Sequence, residues 1–262
     1  MSDGVPRNGS LLGSSAKGSA DLAGHPLVQR LEQLAPLTFE ERRALVDAVA
    51  VEKALPRGSE IVKQGSEPTV SCFLLDGFAG QHTYLSGGRE QITAIRIPGD
   101  FVDLHSFLLA GMDHSIVALS DCRVGLVPHT NLKAITDDHP HLTRVLWLIT
   151  LIDGAIHRAW VAAIGRRTAE QHLAHLVCEL YVRLSRAGLV EGSAFTLPMT
   201  QSDMANALGL SSVHVNRVTM ELRRNGLISW RHRVMEIPDF EKLADFADFD
   251  PTYLNLEGKR LR

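Results

Sequence analysis

Cysteine is scarce in this chain of 262 residues. Only Cys72, Cys122 and Cys178 occur, with no CxxC pair. That excludes a disulfide framework and leaves no zinc or iron–sulfur ligand spacing to read, so no metal site is expected and a reducing compartment, the cytoplasm, fits. Bulk charge is also missing: 27 basic against 30 acidic side chains give a formal net charge of −3. The chain as a whole is no cationic polymer, and any nucleic-acid site must be local. HExxH and nucleophile-elbow motifs are absent, as are internal repeats. An enzyme would have to work through Asp113–His114 or His139–His141 on a metal. His139 and His141 flank Pro140 in an expected loop, and the chain is read as no enzyme. Residues 1–25 are Gly/Ser-rich and lack an apolar core, which excludes a signal peptide or membrane span there and predicts a disordered arm.

What is present suffices for a buried core, with 45% hydrophobic and 22% charged residues. At roughly 100–200 residues per domain, the length suggests one large or two modest domains. Apolar spacing predicts two short helices between Pro26 and Val51. From about Glu52 to Val127 the rhythm changes to short β-rich runs, namely Glu60–Val62, Cys72–Leu75, Gln81–Leu85, Gln91–Arg96, Ser115–Leu119 and Arg123–Val127, punctuated by glycine. Without helices long enough for parallel crossovers, these make an antiparallel roll or barrel. A long helix follows, in which Leu142, Val145, Ile149, Ile152, Ile156, Ala159 and Ala163 alternate by three and four residues. That spacing is a heptad seam, read here as facing a second copy, the alternative being a helix buried within its own domain. Gly165–Arg166–Arg167 breaks the pattern before a second helix, Thr168 to about Ala187. Gly188–Ala194 is then a connector and Phe195–Met199 a short strand.

The most informative stretch is TQSDMANALGLSSVHVNRVTMELRRNGLI, Thr200–Ile228. Thr200 with Asp203 three residues on caps a helix of about two turns. Gly209 supplies a tight turn, Ser211 caps a longer helix, and Gly226 ends it. Short helix, glycine turn, longer helix is a helix-turn-helix pattern. At 100° per residue, Val215, Val218 and Leu222 face inward, and Val213, Asn216, Arg217, Met220 and Arg224 face outward. Asn can bond adenine and Arg guanine in the major groove, while Val213 and Met220 can touch thymine methyls. Leu227–Trp230 and Val234–Ile237 then form a hairpin with a cationic tip, Arg231–His232–Arg233, placed as a wing on phosphate. Thr200, Gln201, Ser211, Ser212, Arg231 and His232 join the outward residues as expected DNA contacts.

Three separated segments together resemble the Crp/Fnr family of bacterial transcription regulators: PGDFVDLHSFL (Pro98–Leu108), GRRTAEQHLAHLVCEL (Gly165–Leu180) and TQSDMANALGLSSVHVNR (Thr200–Arg217). The resemblance spans nearly everything from Leu31 to Ile237. It implies an α+β fold: an N-terminal antiparallel, cyclic-nucleotide-binding-like β-roll, a long dimerisation helix and a C-terminal winged helix-turn-helix. It implies a homodimer on a double-stranded operator with an inverted repeat, RNA polymerase as a further partner, and no membrane partner. The expected domains are 26–138 for the roll, 139–164 for the dimerisation helix, 165–240 for the winged helix and 241–262 for a tail.

Departures from the family pattern bear on the effector. Cyclic-AMP-binding members carry a Gly-Glu pair and an Arg-Ser pair where this chain has Asp103–Leu104 and His114–Ser115. Leu104 cannot accept from a hydroxyl, and a neutral His114 replaces a fixed guanidinium poorly, so cyclic AMP is disfavoured. The candidate effector pocket comprises Gly99, Asp103, His105, His114 and Ser115. Oxygen-sensing members carry an N-terminal cysteine cluster, absent here, which excludes an iron–sulfur cluster. Haem could draw only on Cys72, His82, His105 and His114 and is disfavoured. Val213, preceded by Ser212, stands where many relatives place a base-reading Glu, while Arg217 keeps the family's arginine; a different half-site is expected. The alternatives are a ligand- or partner-binding module that uses the winged helix as a protein interface, and a haem-based sensor. Charge partition favours the DNA reading: residues 1–164 carry 14 basic and 18 acidic side chains, 165–235 carry 9 and 5, and 236–262 carry 4 and 7.

Overall fold

A computed structural model describes residues 22–256. The expected arm lies outside the described residues except at its end, where Leu22–Gly24 form a single 3-10 turn. Pro26 opens α1 (Pro26–Glu32), and a Thr38/Glu41 capping box opens α2 (Phe39–Asp47).

Seven strands then form two antiparallel sheets. One has the order β1 (Val51–Leu55), β7 (Cys122–Pro128), β3 (Val70–Asp76). The other runs β2 (Glu60–Val62), β6 (Ser115–Ala118), β4 (Ala79–Tyr84), β5 (Glu90–Arg96). Val62, Leu74, Val102, Ile116 and Val124 fill a small core in the β-unit. Gly125 is required on β7, because a Cβ there would lie 2.3 Å from the Phe73 ring. Strand β1 was not expected: four of its five residues are exposed, so it lacks the alternation that marks a strand.

Helix α3 (His129–Asp138) was likewise unexpected, since it buries only Leu132 and Ile135. The expected loop shrinks to one residue: His139 alone separates α3 from α4 (Pro140–Arg166), and His141, in the first turn of α4, meets Glu41 at 2.8 Å. Gly165 does not break this helix; the break falls at Arg167, before the Thr168/Gln171 capping box of α5 (Ala169–Arg186). By length and composition α4 could cross a membrane. Its apolarity has a local cause, because it is apolar on opposite faces.

The expected heptad seam is corrected by the structure. Leu142, Val145, Ile149, Ile152, Ile156 and Ala163 are buried within their own chain and Ala159 is half-buried; α4 packs on α3, β5 and the turn Pro251–Leu254. A side chain already buried by its own core is not available to a partner. The opposite face carries Trp147, Leu151 and Val161 at the same kind of spacing, with Ile164 beside them, all more than half exposed.

The winged-helix half contains β8 (Val190–Glu191), β9 (Ala194–Thr196), α6 (Gln201–Leu208), α7 (Ser212–Arg224), β10 (Ser229–Arg231), β11 (Val234–Glu236) and α8 (Phe240–Ala247). The expected strand Phe195–Met199 is shorter, ending before Pro198, and the connector holds β8. The stretch expected as a tail contains most of α8 and the turn Pro251–Leu254, which pack on α5 and α4.

Asp100, from the PGDF segment, joins the two halves. Its carboxylate accepts from Arg183 of α5 at 2.7 Å, Arg30 at 3.2 Å and the Ile97 amide at 3.1 Å. Burial alone would raise this carboxyl, but the guanidiniums of Arg183, Arg30 and Arg96 overcome it and hold it below the usual range. Arg183 also donates to Glu179 at 3.1 Å, and Glu179 accepts from Trp160 and Tyr253. Every charge in this buried network is paired, which is the condition for tolerating it.

Candidate nucleic-acid interface

Local chemistry builds the helix-turn-helix as its residues dictate. Thr200 accepts from the Asp203 amide at 3.1 Å while the Asp203 carboxylate accepts from the Thr200 amide at 2.6 Å, closing the capping box of α6. Gly209 takes φ +66°, a left-handed conformation costly for other residues. Ser211 then caps α7 by accepting from the His214 amide at 3.2 Å. Val215, Val218 and Leu222 are fully buried, and Val213, Asn216, Arg217, Met220 and Arg224 are exposed.

Val213 is 81% exposed and Met220 55%, an apolar cost in water that contact with another surface would relieve. The polar groups between them are held rather than loose. Arg217 donates to His214 Nε2 at 2.9 Å, Arg224 to Glu221 at 2.9 Å, and Asn216 to Gln201 at 3.4 Å. Asn216 and Gln201 therefore present their amides side by side across the two helices.

Strands β10 and β11 pair as an antiparallel hairpin joined through His232 and Arg233, with His232 at φ +58°. A concavity of about 320 Å³ lies between this hairpin and α7. Thr200, Gln201, Asn216, Met220 and His232 line it, together with Arg223 and Arg233. Sequence reasoning left Arg223 out of the candidate contacts and had Arg233 only as part of the hairpin's cationic tip. The helical wheel would have found Arg223 only once the hairpin's position was known. Arg231 ends β10 opposite Val234 and does not line the concavity. Ser211 and Ser212 are exposed at the start of α7.

The β-unit touches this head directly. Arg57 donates to Asp203 at 2.5 Å and to the Pro198 carbonyl at 3.2 Å. Gln91 donates to the Ala207 carbonyl at 3.1 Å, and Asn206 bonds Glu90. The carboxylate that caps α6 is thus shared with a cation from the other half.

The expected effector pocket is only partly assembled. Gly99 sits at φ +93° against Arg30 and the Pro26 carbonyl, in a turn. Asp103 points inward, accepting from the Cys72 amide at 2.5 Å and from Ser106 at 3.3 Å; burial pushes its carboxyl up to about 7. The Ser115 hydroxyl donates to Glu60 at 2.8 Å and accepts from the Gln64 amide at 2.9 Å. His105 and His114 do come together, with ring centroids 5.0 Å apart, beside Asp113. Burial, then His114 and Arg96, lower His105 to about 4, and burial also lowers His114, so both imidazoles stay neutral. His105, His114 and Asp113 are the set that could hold a metal. Cys72 is buried in the β-unit core, which raises its thiol, and His82 is engaged with Glu90 at 3.3 Å.

Two family models match the chain, a cyclic nucleotide-binding domain over residues 52–139 and a Crp-like helix-turn-helix domain over 171–246. The transcriptional activator protein FnrA of Stutzerimonas stutzeri is 26% identical over 216 residues, 80% of this chain and 86% of that protein. The transcriptional activator protein FnrL of Cereibacter sphaeroides is 25% identical over 214 residues, again 80% of this chain and 86% of that protein. Among solved structures, FixK2 from Bradyrhizobium japonicum superposes with a TM-score of 0.69 at 24% identity, covering 76% of this chain and 97% of that one, a likeness of fold.

Proposed function

The chain belongs to the Crp/Fnr family of transcription regulators, which are not enzymes, and from that premise we propose that it acts as a homodimer reading an inverted-repeat operator, without cyclic AMP and without an iron–sulfur cluster. The observation that carries the reading is the outward face of α7. There Val213, Asn216, Arg217 and Met220 stand exposed beside a cationic hairpin turn, a combination suited to base edges and phosphate together. Thr200, Gln201, Ser211, Ser212, Arg224, Arg231 and His232 complete the contact set, joined by Arg223 and Arg233.

The homodimer reading is supported by the exposed stripe Trp147–Leu151–Val161 on α4, with Ile164 beside it. Single exposed apolar residues are ordinary, but a stripe along a long helix marks an interaction surface. Against cyclic AMP stand the neutral His114 and the hydroxyl of Ser115, already spent on Glu60 and Gln64. Against an iron–sulfur cluster stands the ligand count, three cysteines in all, each of them buried. The relatives are named transcriptional activators, which supports RNA polymerase as the next partner of the DNA-bound dimer. Its place is the cytoplasm, with no membrane partner.

Selection from random duplex DNA, followed by titration at several salt concentrations, tests the reading. The expected result is a palindromic site bound by two chains, with affinity falling steeply in salt. Equal retention of selected and random duplexes would overturn it.

A further inference from the structure

His105 lies in the 3-10 turn Leu104–Phe107, while Asp113 and His114 lead into β6. The intervening loop folds back so that one ligand-type atom from each of the three lies within 4.8 Å of the others. His114 is 3% exposed, and its Nδ1 lies 2.6 Å from the Asp113 carboxylate. The other ring nitrogen, Nε2, is buried without a partner. His105 Nε2 is also buried without a partner. A buried imidazole nitrogen left unpaired costs free energy, and here the two rings that carry them lie with centroids 5.0 Å apart beside a carboxylate.

From this geometry we infer that His105, His114 and Asp113 form a site for one divalent transition-metal ion per chain, of the zinc, cobalt and nickel class. Two imidazoles and one carboxylate suit such ions and not calcium or magnesium, which take oxygen ligands. As a ligand Asp113 gives up its hydrogen bond to His114, so the ion lies on the Nδ1 side of that ring and the imidazole proton sits on Nε2. Donors about 2.0–2.1 Å from a tetrahedral zinc lie roughly 3.3 Å apart, so the widest separation in the cluster has to close by up to about 1.5 Å. Asp113, largely exposed at the end of the loop, has the freedom to do so.

Three ligands leave a fourth position open for water or a further ligand. The neighbouring Arg96 guanidinium would oppose a cation, but it is spent on Asp153 at 2.7 Å and on Gln81 at 3.4 Å. Asp153 and His157, both on α4, act electrostatically on this cluster, which sets the ion against the helix that carries the exposed stripe.

This inference goes beyond the proposed function and does not rest on it. The test uses the untagged full-length chain, stripped with chelator and titrated with Co²⁺ by visible absorption and with Zn²⁺ by calorimetry. The expected result is one ion per chain with tetrahedral ligand-field bands. Uptake should be lost in the His105→Ala/His114→Ala double variant and retained in His139→Ala. Asp113→Asn, at an exposed position that leaves the core intact, should bind about 10–100-fold more weakly. Unchanged stoichiometry and affinity in both the double variant and Asp113→Asn would overturn the site, as would the absence of uptake by the natural chain. None of these measurements involves DNA, so failure here leaves the operator reading standing, and failure of operator selection leaves the metal site standing.

Discussion

Helices α4 and α7 both pack one face into the core, but what they turn outward differs. The outer face of α7 is mostly amide and guanidinium, with Val213 and Met220 set among them. The outer face of α4 centres on Trp147, Leu151 and Val161, with Arg144 and Arg158 as its exposed charges. A polar, cationic face is complementary to a hydrated, charged groove, and an apolar stripe is complementary to another like itself. On the proposed reading one helix meets nucleic acid and the other a second copy, and two faces of α4 must be kept apart in any experiment. Its inner face packs into its own chain, and its outer face is exposed.

The largest effect should come from the inner face. Ile152→Ala removes a side chain that is 3% exposed, and a buried Ile→Ala change costs about 2–5 kcal/mol. Urea unfolding should register that loss while sedimentation at high protein concentration still shows the dimer. Trp147→Ala should do the reverse: aromatic anchors at interface centres are worth about 2 kcal/mol or more. The dimer should weaken at least ~30-fold, with the unfolding of the isolated chain little changed. If Trp147→Ala left association intact and Ile152→Ala abolished it, the assignment of the two faces would be reversed.

Periodicity could not have separated those faces. The inner seam repeats at three and four residues, and Trp147, Leu151 and Val161 fall on the same kind of grid with Gly154 and Arg158 between them; where opposite sides of a helix are apolar the repeat does not say which side the β-unit covers. In α7 the sides differ in kind, so Val215, Val218 and Leu222 could be placed from the sequence alone. Local rules also sufficed for Thr200, Ser211 and Gly209, because a cap or a left-handed turn is decided within four residues. They failed for β1, whose exposed residues lack alternation, and for α3, which has only two buried side chains to reveal it. The expected effector pocket was legible as a list of residues and not as a place. Gly99 and Ser115 are occupied by local contacts, whereas Asp113 became part of the cluster only through the return of its loop.

Smaller effects sharpen the comparison on the α7 side. Arg217→Ala should cost about 1–3 kcal/mol on the selected operator and relax the preference at a single base pair per half-site, while random duplex is bound nearly as before. Binding curves on the operator and on single-base variants measure this. Equal losses on every sequence would make Arg217 a phosphate contact.

The hairpin gives the smallest and most uniform effect. Arg233 lines the concavity shared with Asn216 and Thr200, and Arg231 lies outside it at the end of β10. Each substitution, Arg233→Ala or Arg231→Ala, removes a cation without touching a base-reading side chain. Affinity should therefore fall alike for the operator and for random duplex, and the slope of log affinity against log salt should shrink by about 1 for each phosphate left without its cation. Because Arg233 faces the same hollow as the reading helix, its removal should weaken binding more than that of Arg231. A larger effect from Arg231→Ala would mean that the wing meets the backbone with the outer side of β10, and that the hollow between the hairpin and α7 is not where phosphate lies.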